Sequence, residues 1–287
     1  MTARAGYLAA LLVGLLAALS VILALAVHAN AVGTVSDVRQ GAWVVQASSG
    51  LDPPVIETLN RIVKADRRLL ALRAYLRADG ELSARWTWSQ KRQVGYAETP
   101  DGKTVATYID AVAASFARAN PGYTLKVNPM PRSLDLQLLR WNEDASVGKA
   151  AAALTSSLAR RFADDGAVPP SAALREALIA WKPSHTASVA APGLSAHGQG
   201  RAFDFQVERE GQVIAGVEVA TARQRWDAAG WTRKLHEAVG SAGHHFAGPL
   251  QFPYEPWHYS YQLASGPLGS RGALLSGATS SNSVSTD

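Results

Sequence analysis

Two short segments of the chain carry the residues best suited to chemistry. In the first, SAHGQGRAFDF (195–205), His197 and Asp204 stand seven positions apart, with glycines between them that let the backbone turn tightly. Strand alternation would place Phe203 and Phe205 on one side and Asp204 on the other. A carboxylate in a half-buried strand needs a cation, hydrogen-bond donors or a metal as its partner. His197 and Asp204 are therefore candidate ligands of one metal ion.

The second segment, YEPWHY (254–259), supplies Glu255 and His258. The chain has no cysteine, so any metal must be held by His, Asp or Glu. Zinc held by His197, Asp204 and His258 would keep its fourth position open for water, whose pKa it lowers to about 7. A glutamate close to this water but not on the metal would serve as general base and then protonate a leaving amine. The two segments thus contain every group that a zinc hydrolase needs.

Each of these residues also has a purely structural interpretation. Asp204 could pair with Arg201, and His258 could cap the end of a strand. Gly198 and Gly200 could be ordinary turn glycines. Because the H-x6-D pattern has limited specificity, residue spacing leaves both interpretations open.

Taken together, the two segments resemble a known family. The pattern S-x-H-x-x-G-x-A-x-D at 195–204, followed by E-P-W-H at 255–258, is similar to the VanY-type D-alanyl-D-alanine carboxypeptidases. These belong to a wider group of zinc peptidases that includes phage L-alanyl-D-glutamate endopeptidases and the hedgehog amino-terminal domain. The resemblance covers about 125–264 and says nothing about 1–120.

This resemblance implies a set of roles. One Zn²⁺ would be bound by His197, Asp204 and His258, and Glu255 would be the catalytic base. The family also has an upstream R-S-x-x-x-Q segment, which RSLDLQ at 132–137 matches.

The match implies that Arg132 binds substrate and stabilises the developing oxyanion, and that Gln137 binds substrate. The alternative is a surface arginine at a helix start. Ser195 is expected to orient the site through a hydrogen bond to the metal shell or the substrate, or else to cap a loop. Trp257 is expected to pack beside the metal or to line the substrate cleft.

Periodicity predicts the elements that must position these residues. The predicted fold class is α+β: a small antiparallel sheet flanked by helices, preceded by a helical region and an N-terminal transmembrane helix. The resemblance implies that the sheet and its helices are similar to those of hedgehog and the DD-peptidases. The predicted helices cover 55–78, 104–119, 147–162, 171–181 and 226–239. The predicted strands cover 123–127, 203–207, 212–219, 243–247 and 257–262, with the second and third joined as a hairpin by the turn at 210–211.

The N-terminus predicts export. Residues 5–27 carry no charge and are long enough to cross a bilayer, and Arg4 favours a cytoplasmic N-terminus. Ala29-Asn30-Ala31 offers a signal-peptidase site, so 1–31 is either a membrane anchor or a cleaved signal peptide. The predicted division of the rest is a linker over 32–51, a helical region over 52–120, a zinc peptidase domain over 121–264 and a disordered tail over 265–287.

Composition narrows the function classes. A hydrophobic content of 47% excludes a disordered chain, and a formal charge of +5 from scattered Lys and Arg argues against nucleic-acid binding. The expected function is a zinc-dependent D-alanyl-D-alanine carboxypeptidase whose partners are a peptidoglycan stem peptide and the membrane. It would act outside the cytoplasm, in the periplasm or cell-wall space, anchored or secreted after cleavage. The alternatives are a peptidoglycan endopeptidase, cleaving L-Ala-D-Glu bonds or cross-links, and a non-catalytic wall-binding module.

Overall fold

The computed structural model describes residues 37–128, 130–163, 167–243 and 245–262. These residues have an α+β fold with an antiparallel sheet, as predicted. The predicted anchor or signal segment and the predicted tail lie outside the described residues. Among the residues that the structure describes, no helix is both long and apolar enough to span a membrane.

The elements are named here in chain order. The helices are α1 (37–48), α2 (Pro53–Asn60), α3 (Ala65–Ala78), α4 (Leu82–Arg85), α5 (Gln90–Gly95), α6 (Pro100–Ala119), α7 (Leu134–Glu143), α8 (Ala145–Arg161), α9 (Ser171–Ala180) and α10 (Trp231–Ser241). The strands are β1 (Thr124–Val127), β2 (Ala202–Arg209), β3 (Gln212–Ala215), β4 (Phe246–Ala247) and β5 (His258–Tyr261).

The chain forms two compact units and passes back and forth between them. In the described part of the chain, the first unit comprises 37–87 and 133–195, and the second comprises 88–132 and 196–262. Residue 120, where the sequence predicted a boundary, lies inside the second unit. Because a helical period predicts a buried face without saying which core it joins, the sequence could not assign these segments to units.

The first unit is helical and contains α1 to α4 and α7 to α9. Its α1 lies where composition predicted a linker, and Trp43 and Ala47 on this helix are buried at 1% and 0% exposure. The predicted helix over 55–78 is two helices, separated at 61–64. Ile62 stays fully buried in this break, which is why the apolar pattern continues across it.

The second unit holds α5, α6, α10 and the sheet. The strand order is β1-β2-β5-β4, with β3 also paired to β2, and all the pairs are antiparallel. The β2–β3 turn has Glu210 at φ 52° and Gly211 at φ 76°, which is the geometry of a two-residue hairpin. The predicted hairpin is thus confirmed.

One face of the sheet makes the core of the second unit. Helix α6 contributes Val105, Ile109, Val112 and Phe116 to this core, although it was predicted to belong to a separate helical region. Phe203 and Phe205 of β2 are buried at 1% and 0% exposure, and both have ring contacts with Phe246. This packing leaves the opposite side of β2 to carry Asp204.

Candidate metal centre

His197 lies in a tight turn directly before β2. A 3-10 turn covers Ala196–Gln199, and the amide of Arg201 donates to the carbonyl of Ala196 at 3.1 Å. Gly200 closes this turn with φ 60°, a value that residues other than glycine rarely adopt. A Cβ at Gly200 would also lie 2.8 Å from the ring of Tyr96. Both conditions explain why this position is glycine.

Asp204 and His258 meet because of strand register. They face each other as partners on the antiparallel pair β2–β5. Directly opposite residues on one face have Cβ atoms about 5 Å apart, so their side chains meet. Phe203 and Phe205 point into the core, so the alternation predicted for Asp204 is confirmed.

The three predicted ligands converge on one point. Their ligand atoms all lie within 4.8 Å of one another. His197 Nε2 is 3.4 Å from Asp204 Oδ2, and His258 Nδ1 is 2.9 Å from Asp204 Oδ1. Ligands at zinc-type bond lengths in a tetrahedral shell are about 3.4 Å apart. His197, Asp204 and His258 could therefore hold a metal ion.

The electrostatic environment keeps His197 and Asp204 in the protonation states that metal binding requires. Burial lowers the pKa of His197 and outweighs the opposing hydrogen bond to Asp204. For Asp204, burial acts to raise the pKa, but hydrogen bonds from His197 and His258 outweigh it and hold the pKa well below its usual range. A neutral imidazole at His197 and an ionised carboxylate at Asp204 follow at neutral pH.

Glu255 lies beside the ligand set on a short loop. Its amide donates to the carbonyl of Leu250 at 3.0 Å, and its carbonyl accepts from the amide of His258 at 3.1 Å. Its Oε2 atom is 3.5 Å from His258 Nδ1, and its side chain is only 15% exposed. The carboxylate of Glu255 is therefore next to the predicted metal position without belonging to the converging group of three.

Arg132 joins the same cluster. Its guanidinium donates to Asp204 Oδ2 at 3.1 Å, and its amide donates to the carbonyl of His197 at 2.8 Å. Asp204 thus has an ion-pair partner, but this is Arg132 and not Arg201, whose side chain is exposed. The structure brings together the arginine that the R-S-x-x-x-Q pattern singled out and the carboxylate of the H-x6-D pattern.

Two side chains that were predicted to contact substrate are buried. Trp257 is 2% exposed and packs against Trp226, with ring centroids 6.0 Å apart. Gln137 is 4% exposed within the first unit, where it donates to Thr87 Oγ1 and accepts from the amide of Gly193. Little of either side chain is exposed to a substrate, and the substrate-binding roles of Trp257 and Gln137 stay predictions.

Ser195 is buried at 8% exposure and is the last residue of the first unit, directly before the turn that carries His197. Its hydrogen bond to the metal shell or substrate stays a prediction.

A segment that the sequence did not single out supports the turn containing His197. The amide of Trp88 donates to the carbonyl of Gly198 at 3.1 Å, and Tyr96 packs on Gly200. The pairing of a G-x-G turn with a distant aromatic has no periodic signal in the sequence. Only the fold brings these segments together.

Comparisons with protein-family models, curated proteins and solved structures found no match to this chain.

Proposed function

We propose that this chain is a zinc-dependent D-alanyl-D-alanine carboxypeptidase that acts on peptidoglycan stem peptides. The observation that carries this proposal is the convergence of a two-histidine, one-aspartate ligand set with a carboxylate and a guanidinium. Glu255 lies 3.5 Å from one ligand atom, and Arg132 lies 3.1 Å from another ligand side chain. The peptide specificity rests on the motif resemblance at 195–204 and 255–258.

The donor set suits zinc. Two imidazole nitrogens and one carboxylate oxygen, without thiolate, match the three-ligand composition of catalytic zinc sites. When bound by His197, Asp204 and His258, zinc would supply Lewis acidity, which lowers the pKa of water to about 7. Every other group that the reaction needs belongs to the chain itself.

Glu255 is the proposed proton carrier. Its carboxylate accepts a proton from the water that attacks the peptide carbonyl, and it then delivers this proton to the amine of the departing D-alanine. Its side chain is only 15% exposed, which limits competing solvent at the carboxylate. General acid-base groups of this kind contribute about 10²- to 10⁴-fold in rate.

Arg132 is the proposed oxyanion donor. A guanidinium has five N–H donors in a fixed fork, so it can contact Asp204 and a substrate oxygen at the same time. Its position beside Asp204 places positive charge at the edge of the predicted metal position. Loss of one such donor costs about 10²- to 10³-fold in kcat in well-studied acyl-transfer sites.

Mass analysis of the products tests the proposal. The full-length chain in detergent, loaded with zinc, is incubated with a synthetic stem pentapeptide that ends in D-Ala-D-Ala. We expect the loss of a single D-alanine. Internal cleavage would replace the carboxypeptidase assignment with the endopeptidase alternative, and zinc binding without hydrolysis would leave a non-catalytic wall-binding module.

A pair of variants tests the role of Glu255. Glu255→Gln should keep one zinc per chain and lose at least about 10²-fold in kcat. Glu218→Gln is the matched control, because Glu218 is an exposed carboxylate of the same unit. Full hydrolysis by Glu255→Gln would show that another group is the base.

A further inference from the structure

Helix α5 carries a buried amide that no part of the proposed mechanism uses. Gln93 is 6% exposed, although amide side chains mostly lie at the surface. Its Nε2 atom donates to the carbonyl of Trp88 at 3.0 Å and to the carbonyl of Arg132 at 3.3 Å. Both N–H bonds of the side-chain amide are therefore directed to backbone oxygens.

Gln93 joins two backbone segments, at Trp88 and at Arg132, and each of them donates a hydrogen bond to the turn at Ala196–Gln199, which contains His197. The amide of Arg132 donates to the carbonyl of His197 at 2.8 Å, and the amide of Trp88 donates to the carbonyl of Gly198 at 3.1 Å. Gln93 thus links Arg132 to Trp88, and both of these residues are hydrogen-bonded to the turn that contains His197. Helix α5, which carries Gln93, lies outside 125–264, the part of the chain that the motif resemblance covers.

We propose that Gln93 is a positioning residue, which sets the backbone of Arg132 so that its guanidinium reaches the reacting carbonyl. This inference rests on the proposed function for its kinetic consequence. Arg132 is held at its amide by His197 and at its carbonyl by Gln93, so its backbone is fixed on both sides. A long, flexible side chain such as that of Arg132 holds its charged group in a defined position only when its backbone is fixed in this way.

Gln93→Met tests the role, since methionine keeps the length of the side chain and removes the donor. We expect kcat/KM to fall roughly tenfold to hundredfold, as for other supporting residues of active sites, with the zinc content unchanged. Gln90→Met is the matched control, because Gln90 is an exposed glutamine on the same helix. A Gln93→Met enzyme with the kcat/KM of the Gln90→Met enzyme would overturn the proposal.

A double-mutant cycle separates positioning from general destabilisation. If Gln93 acts through Arg132, Gln93→Met should change kcat/KM less than about twofold once Arg132→Ala is present. Full additivity of the two losses would overturn the proposal.

Hydrogen exchange at the Arg132 amide provides a readout that needs no activity. We expect this amide to exchange roughly tenfold faster in Gln93→Met, since its bond to His197 loses support, while the amides of β2 keep their rates. An unchanged rate would overturn the positioning role. A wild-type chain that hydrolyses nothing would refute the proposed function instead, and the exchange result would still decide the role of Gln93.

Discussion

Replacement of Asp204 by asparagine perturbs the centre of the cluster while keeping its shape. Asp204 contacts His258 at 2.9 Å, Arg132 at 3.1 Å and His197 at 3.4 Å. Removing one partner from a buried charge pair costs about 3–5 kcal/mol, because the other charge stays buried and unpaired. Since the side chains of Asp204 and Arg132 are each 19% exposed, we expect the lower end, a loss of about 3 kcal/mol in the free energy of unfolding.

Urea titration with and without zinc measures both roles of Asp204. At zinc concentrations about a hundred times the wild-type Kd, the wild-type chain should gain about 2.7 kcal/mol, and Asp204→Asn should gain much less. Asp227→Asn is the control, because Asp227 accepts hydrogen bonds from Thr232 and Tyr254 outside the ligand set. An Asp204→Asn chain with wild-type stability and the full gain from zinc would refute both the charge network and the ligand assignment.

Two further predictions concern local structure. Gly200→Ala should destabilise by about 1–3 kcal/mol more than Gly211→Ala: both sites have positive φ, but only a Cβ at Gly200 would meet Tyr96. Equal melting temperatures for the two variants would refute the close contact. Asp144→Ala should cost about 1 kcal/mol at pH 7, because the carboxylate caps α8 at the amide of Val147. Burial acts to raise the pKa of Asp144, but hydrogen bonds outweigh it and lower the pKa. In urea titrations, the stability lost in Asp144→Ala should therefore shrink as the pH falls below 3.8. A loss that stays constant with pH would contradict the contribution of the ionised carboxylate.

Local patterns in the sequence predicted the parts of the site that depend on strand geometry. The alternation of Phe203, Asp204 and Phe205 correctly placed the carboxylate opposite the core, and Glu210-Gly211 correctly predicted the hairpin. Trp257 lies directly before β5 and is buried at 2% exposure, and its predicted role in substrate binding stays a prediction.

Contacts between residues far apart in the chain could not be predicted from the sequence. The register that sets Asp204 opposite His258 depends on how β2 and β5 pair, and no local pattern encodes it. Gln137 is buried in the first unit, where it donates to Thr87, a residue 50 positions away, and this contact also has no local signal. The contact of Gln93 with Arg132 could not be predicted either, because this hydrogen bond joins residues 39 positions apart.

Locating the metal tests directly whether His197, Asp204 and His258 bind zinc. Crystals of the zinc-loaded chain, measured at the zinc absorption edge, should show one anomalous peak bounded by His197 Nε2, a carboxylate oxygen of Asp204 and His258 Nδ1. The peak should disappear in His258→Ala crystals that keep the fold. We expect one zinc per chain at this position. A zinc-saturated chain with no peak between these three side chains would contradict it.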